Sequence, residues 1–263
     1  FYFLKLSKEK GEKMLITRVI LILATILLTV IFLKLFNLGA VLSCVLTVMV
    51  VILGYIIYAN IRQRKRYNLL EQDLDPEAFV KATEKQIKIT GKNKRAYSML
   101  NADLVVGLSS MRKYEVARDI LNKIDVKYLS KWNGSILIYY NSEMSLYFNT
   151  GEIDKAKEIY ETKIKNYPIK ILSESITMDL ILANKSFYEK EYNSSRELYN
   201  KVLQNSMSKR IKLEIYYILA NIDEKEGKME DAIKKYKKVA DKGNKLYSSL
   251  LAKEKLKLFE SPN

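Results

Sequence analysis

The chain has 263 residues, with 45 Lys and Arg against 30 Asp and Glu, a formal net charge of +15, no His and a single Cys. Those counts exclude a disulfide framework, a Cys/His zinc site and any His-based triad, while carboxylate-only or Lys-based chemistry stays open. Neither a cofactor nor a metal is expected, because no Gly-rich phosphate loop and no cluster of metal ligands is present.

In chain order, residues 1–13 come before the first Met, and Lys10-Gly11-Glu12-Lys13 has the form of a translated purine-rich ribosome-binding site. They are expected to be an extension that the natural product lacks. The first apolar run, Met14 to Leu33, is twenty residues long, and at 1.5 Å per residue it reaches about 30 Å, the thickness of a bilayer's hydrocarbon. Arg18 and Lys34 bracket it, with stems long enough to carry their charges to the interfaces. Asn37 and Gly39 supply a turn, and the second run, Leu38 to Tyr58, has no charge. Four cations follow: Arg62, Arg64, Lys65 and Arg66. Cations beside a span stay in the cytoplasm, so these set the topology. The expectation is a two-span hairpin over 14–61 in the cell membrane, a basic juxtamembrane linker over 62–76, a cytoplasmic domain over 77–263, and both termini cytoplasmic.

Rival readings of the hairpin are weaker. Uncharged runs of this length do not suit a buried core pair, and no small-residue cleavage site followed by polar sequence marks a signal peptide. Val41-Leu42-Ser43-Cys44 loosely resembles the box ahead of a lipoprotein cysteine, but another apolar run follows Cys44. Cys44 is then an inert residue facing lipid or the partner helix.

From Asp75 onward apolar residues recur at helical spacing, and Pro occurs only at Pro76, Pro168 and Pro262. The fold class is all-α. Asp75-Pro76-Glu77 opens a helix with Asp as N-cap and Pro at the first helical position. The acids Glu71, Asp73, Asp75 and Glu77 are explained by a helix's first turn before any cation site is needed.

This region repeats. Ile181-Leu182-Ala183-Asn184 recurs as Ile218-Leu219-Ala220-Asn221 at an offset of 37, and the small residues Ala117, Ala156, Ser195 and Ala232 stand 39, 39 and 37 apart. Over Ile138 to Pro168 the residues Tyr140, Tyr147, Gly151, Ala156, Tyr160 and Pro168 follow the order large, large, turn, small, aromatic, Pro; Ala220, Gly227, Ala232 and Tyr236 repeat part of it. On these residues the chain resembles the tetratricopeptide family over roughly Lys94 to Phe259, departing from it where Ser195 replaces Ala and where the spacing exceeds the family's 34. The resemblance implies a helical-hairpin solenoid of about four repeats behind the transmembrane hairpin. The physical reason for the pattern is independent of the family: a small residue lets two helices approach, and a large aromatic fills the gap between hairpins. The 19 Tyr are accordingly read as packing, and Trp132, beside Asn133-Gly134, as a wedge between repeats.

What the resemblance implies about function is a concave groove lined by the first helices, taking an extended peptide or a partner helix. Asn141, Ser145, Asn184, Phe187, Tyr188, Tyr217, Asn221 and Lys225 are expected to face it. Asn184 and Asn221, equivalent by repeat, offer donors and acceptors to a peptide backbone, although each could equally bond a local carbonyl. Lys234, Lys235, Lys237, Lys238, Lys242 and Lys245 crowd near the C-terminus; they read as a solvated helix face or as a surface for anionic lipid or nucleic acid. The expected function is a non-enzymatic scaffold that recruits a protein partner or peptide to the membrane, with a tethered nucleic-acid or anionic-lipid binder as the alternative. Low Pro with abundant Lys, Ile, Asn and Tyr suggests an AT-rich bacterial genome.

Overall fold

The computed structural model describes residues 23–34 and 39–260. The expected extension 1–13, residues 14–22 of the first apolar run and Asn37 of the turn lie outside the described residues. Among the described residues regular structure is wholly helical, with twelve α-helices and no strand. The chain divides into two compact units, Phe1–Arg64 and Lys65–Asn263.

In the first unit, α1 (Leu23–Lys34) is a short apolar helix; α2 (Ala40–Glu71), whose residues from Lys65 on belong to the second unit, is the one helix among the described residues long and apolar enough to cross a bilayer, with a window of mean hydropathy 2.7. Thr29 Oγ1 of α1 lies 3.2 Å from Thr47 Oγ1 of α2, and Thr47 donates to Ser43 O at 2.8 Å. Ser43 and Thr47 are buried, whereas Cys44 and most neighbouring apolar side chains of α2 are exposed. The small hydroxyl residues are therefore the ones that face a helix.

The stretch expected as a linker differs from that reading. Residues 62–71 are the last turns of α2, and Arg66 is buried. Its Nη1 donates to Thr83 Oγ1 at 2.9 Å and its Nη2 to Asp103 Oδ2 at 2.7 Å, with the guanidinium over the Tyr67 and Phe79 rings. Of the four cations assigned to topology, Arg62, Arg64 and Lys65 retain access to solvent and Arg66 is spent on packing.

The second unit is built of consecutive helices that pack on one another. α3 (Pro76–Thr90) packs on α4 (Lys94–Ser110) and α4 on α5 (Tyr114–Leu121). α6 (Ser135–Asn149) packs on α7 (Ile153–Ile159), which continues as a π turn to Ile164. α8 (Leu172–Tyr188) packs on α9 (Tyr192–Asn205), α10 (Lys209–Lys225) on α11 (Met229–Lys242), and α11 on α12 (Tyr247–Glu260). Side-chain caps start three of them: Asp75, Asn93 and Ser208 each accept from the backbone N–H three residues on, at 3.0 Å. Pro76 at the first position of α3 adds the preset φ expected from sequence.

Four turns between paired helices share one geometry. The N–H groups of Lys113, Glu152, Glu191 and Lys228 reach back five residues to the carbonyls of Leu108, Tyr147, Ser186 and Asp223 at 2.8–3.0 Å. The residue before each is left-handed: Arg112 (φ 54), Gly151 (φ 81), Lys190 (φ 65) and Gly227 (φ 75). This is the Schellman arrangement, in which two orphan carbonyls at a helix end are satisfied together. Glycine occupies the strained position in two turns, and an L-residue bears a cost of about 1–2 kcal/mol in the others. Five residues beyond each left-handed position stand Ala117, Ala156, Ser195 and Ala232, all fully buried. Ser195, the departure from Ala, disposes of its hydroxyl by donating to Ala183 O at 2.9 Å.

One polar knot ties α5 to the α6–α7 turn. Arg118 Nη2 lies 2.5 Å from Glu152 Oε1 and 2.8 Å from Thr150 Oγ1, and Lys155 Nζ lies 2.6 Å from Glu152 Oε2. The hydrogen bonds from Lys155, Arg118 and Thr150 pull the Glu152 carboxyl down from 4.5 to about 2. A depressed carboxyl pKa contributes stability that is present above the unfolded-state value and lost as pH falls through the folded one. The difference in Tm between wild type and Glu152→Gln should therefore be full at neutral pH and vanish as pH drops from about 4.5 to about 2; a difference constant over that window would refute the assignment.

The beginning and end of the second unit are joined. Glu71 at the end of α2 accepts from Ser208 Oγ and, at 2.9 Å, from Arg210 Nε. Gln72 donates to Met207 O at 3.1 Å, Asn244 to Asp73 O at 2.7 Å, and Lys245 N–H to Leu74 O at 3.2 Å. Lys245 Nζ lies 2.5 Å from Asp75 Oδ2. Leu74, left-handed at φ 58, is buried in one core with Leu213, Tyr236, Leu246 and Ala252. Of the four acids read as first-turn residues, Glu71 and Asp75 thus also form the joint.

Trp132 departs from its expected role. It is 83% exposed and so wedges nothing. The Asn133-Gly134 turn that follows it is left-handed at Gly134 (φ 69).

Candidate functional site

The first helices of the pairs, α4, α6, α8 and α10, together with the end of α2 and the start of α12, enclose a cavity of about 660 Å³. Its size is that of an ordinary ligand pocket, ~300–1,000 Å³. α6 contributes Asn141, Ser145 and Asn149, four residues apart and so on one face; α8 contributes Asn184, Phe187 and Tyr188; α10 contributes Arg210, Glu214, Tyr217 and Asn221.

Seven of the eight residues expected to face a groove, Asn141, Ser145, Asn184, Phe187, Tyr188, Tyr217 and Asn221, line this cavity. Lys225 lies beside it: its Nζ is 3.2 Å from Tyr192 Oη and 5.5 Å from the Phe187 ring centroid. The two equivalent asparagines are bonded differently. Asn221 Nδ2 donates to the Tyr217 carbonyl at 2.7 Å, the local bond that competes with a ligand, while Asn184 Oδ1 accepts from Tyr199 Oη at 2.6 Å. The cause is one substitution between repeats. Tyr236, the counterpart of Tyr199, finds the Glu224 carboxylate at 2.7 Å. At the position equivalent to Glu224 stands Phe187, which accepts nothing, so Tyr199 turns to Asn184.

The walls hold polar groups that sequence reasoning missed. Asn149 Oδ1 accepts from Tyr114 Oη at 3.0 Å and Tyr188 Oη at 3.4 Å, clasping three helices. Tyr188 stacks on Phe148 with centroids 4.4 Å apart, and burial pushes its hydroxyl up to about 12. Burial also raises Glu214, against the pull of Arg210, and raises Asp103, against Arg66 and Tyr67. Arg210 is committed to Glu71. Arg112 is exposed, with its guanidinium 4.9 Å from the Tyr247 ring centroid and no ion-pair partner among the described residues. Buried atoms in the wall, Ser109 Oγ and Asn141 Oδ1 among them, have no hydrogen-bond partner among the described residues. Such atoms are costly to bury and are the ones a ligand satisfies. The signal that could have found Arg112 was its register: it stands 39 residues before Gly151 in the repeat, at the turn where Gly is favoured.

The six lysines near the C-terminus do not act as one free patch. Lys235 Nζ lies 2.5 Å from Asp223, Lys245 is paired with Asp75, and Lys238 Nζ sits 3.5 Å from the Tyr216 ring centroid. Lys234, Lys237 and Lys242 are exposed on α11. No group of three or more His, Cys, Asp or Glu is placed to hold a metal among the described residues. Comparison with known protein families, with curated proteins and with solved structures finds no match to this chain.

Proposed function

We propose that the protein is a membrane-anchored binding module, without catalytic chemistry, whose cytoplasmic tetratricopeptide-like domain takes a segment of a partner protein into the cavity. The observation that carries this reading is the convergence of seven residues, placed by repeat register on three successive first helices, on one cavity with unpartnered buried polar atoms and an uncommitted arginine. Regular turns spaced 39, 39 and 37 residues apart support the repeat. The Thr29–Thr47 contact between α1 and α2 supports a two-span hairpin, and Arg62, Arg64 and Lys65 support an inner second flank.

The test is a photo-crosslinking residue placed at Ser145 in the full-length protein in its native membrane, with a second at exposed Lys234. A discrete adduct from Ser145, weakened more than roughly tenfold by Arg112→Glu, is the expected result for a segment that sets an acidic group against Arg112, because reversing one charge of a facing pair costs at least that much. Adducts confined to Lys234 that disappear with added salt would transfer the function to the Lys-rich face of α11.

A further inference from the structure

Four exposed apolar residues of the second unit lie where two loops meet. Trp132 is 83% exposed, and Ile169, Ile171 and Leu172 are 48%, 52% and 71% exposed. Lys170 Nζ sits 3.8 Å from the Trp132 ring centroid, so the 130–135 and 167–172 loops form one surface. The surface is held in shape from beneath. Buried Glu174 accepts the Lys170 N–H at 2.8 Å and lies 3.3 Å from Tyr167 Oη, which donates to the Lys131 carbonyl at 3.1 Å. Residues 130–135 and 167–172 contain no acid, Glu174 just beyond them is buried, and Lys131 and Lys170 are exposed.

A rigid patch of tryptophan and aliphatic side chains edged by cations has the chemistry of a bilayer interface. Tryptophan favours the headgroup level, aliphatic groups favour the acyl boundary, and Lys favours an anionic leaflet. With no acid in residues 130–135 or 167–172, the charge at the rim of the patch is complementary to an anionic leaflet. We propose that these two loops are a second membrane contact, in which Trp132, Ile169, Ile171 and Leu172 enter the interface of an anionic bilayer while Lys131 and Lys170 engage lipid phosphates or carboxylates. The contact rests on the reading of α2 as a span, which tethers the second unit to a bilayer.

Trp132 is the chain's one tryptophan, so its emission reports on this site alone. Full-length protein is reconstituted into liposomes of phosphatidylcholine, or of phosphatidylcholine with phosphatidylserine, with and without brominated acyl chains. In the anionic liposomes the emission should shift to the blue and be quenched by brominated lipid. Each lysine at an anionic surface is worth roughly fivefold in partitioning, so Lys131→Ala with Lys170→Ala should lower the inserted fraction relative to the free one roughly 25-fold. Emission that stays solvent-like and unquenched in liposomes that float with the protein overturns the proposal and leaves the α2 span intact. A blue shift that grows with protein concentration but resists brominated lipid also overturns it, in favour of a second copy of the chain. Failure of the protein to float removes the α2 span, and this contact with it.

Discussion

Asp103→Ala is expected to destabilise the second unit by about 3–5 kcal/mol, a large fraction of a domain's total stability. The Arg66 and Asp103 side chains are 9% and 12% exposed, and their 2.7 Å pair is the centre of a network that includes Thr83 and Tyr67. Removing the carboxylate strands a buried guanidinium over the Tyr67 and Phe79 rings, where little water reaches it. Burial raises the Asp103 carboxyl more than Arg66 and Tyr67 lower it, so the pair is held by geometry against its own desolvation. For that reason Arg66→Met with Asp103→Leu should recover most of what either single change loses. Urea unfolding of the four proteins measures the coupling directly; a single-variant loss below about 1 kcal/mol would place the pair in solvent.

Tyr236→Ala should cost a similar amount, about 3–5 kcal/mol, for a different reason. Tyr236 is fully buried between α10, α11 and α12, packed edge-on to Tyr217 and tilted against Phe259. Tyr236→Phe keeps the ring and removes only the bond to Glu224, which retains Lys255 at 2.7 Å, so its cost should be about 1 kcal/mol. Equal losses for the two variants would mean that the hydroxyl, not the ring, holds the helices together.

How much of this was legible in the sequence depended on the range of the interaction. Local chemistry was visible: the Asp75-Pro76 start, the four small residues and the face of each first helix follow from spacing along one or two turns. The cavity lining was visible for the same reason, since register on a helix fixes its face. Features that depend on a distant partner were hidden. Arg66 reads as one more cation beside a span until Asp103, 37 residues away, is brought against it. Asn184 and Asn221 look equivalent because the residues that distinguish them, Phe187 and Glu224, act through a tyrosine on another helix. Arg112 and Lys190 concealed two of the four turns, because an L-residue can bear the left-handed strain when two backbone bonds are gained in return. Trp132 was misread because an isolated tryptophan in a repeat is usually buried, and only the path of its loop shows otherwise.

The joint between residues 71–75 and 207–245 bears on the order in which the protein is made. Most other contacts here are between neighbours in the chain and can form as soon as each helix pair is synthesised. Gln72, Asp73 and Asp75 must wait for partners 135, 171 and 170 residues later. While the chain is still on the ribosome, Leu74 therefore stays uncovered and the cavity has no fourth wall, and both are completed only when α10 to α12 arrive. A chain released early would keep correctly paired helices and yet have an open cavity and an exposed Leu74, the kind of apolar flag by which quality control tells an unfinished protein from a finished one.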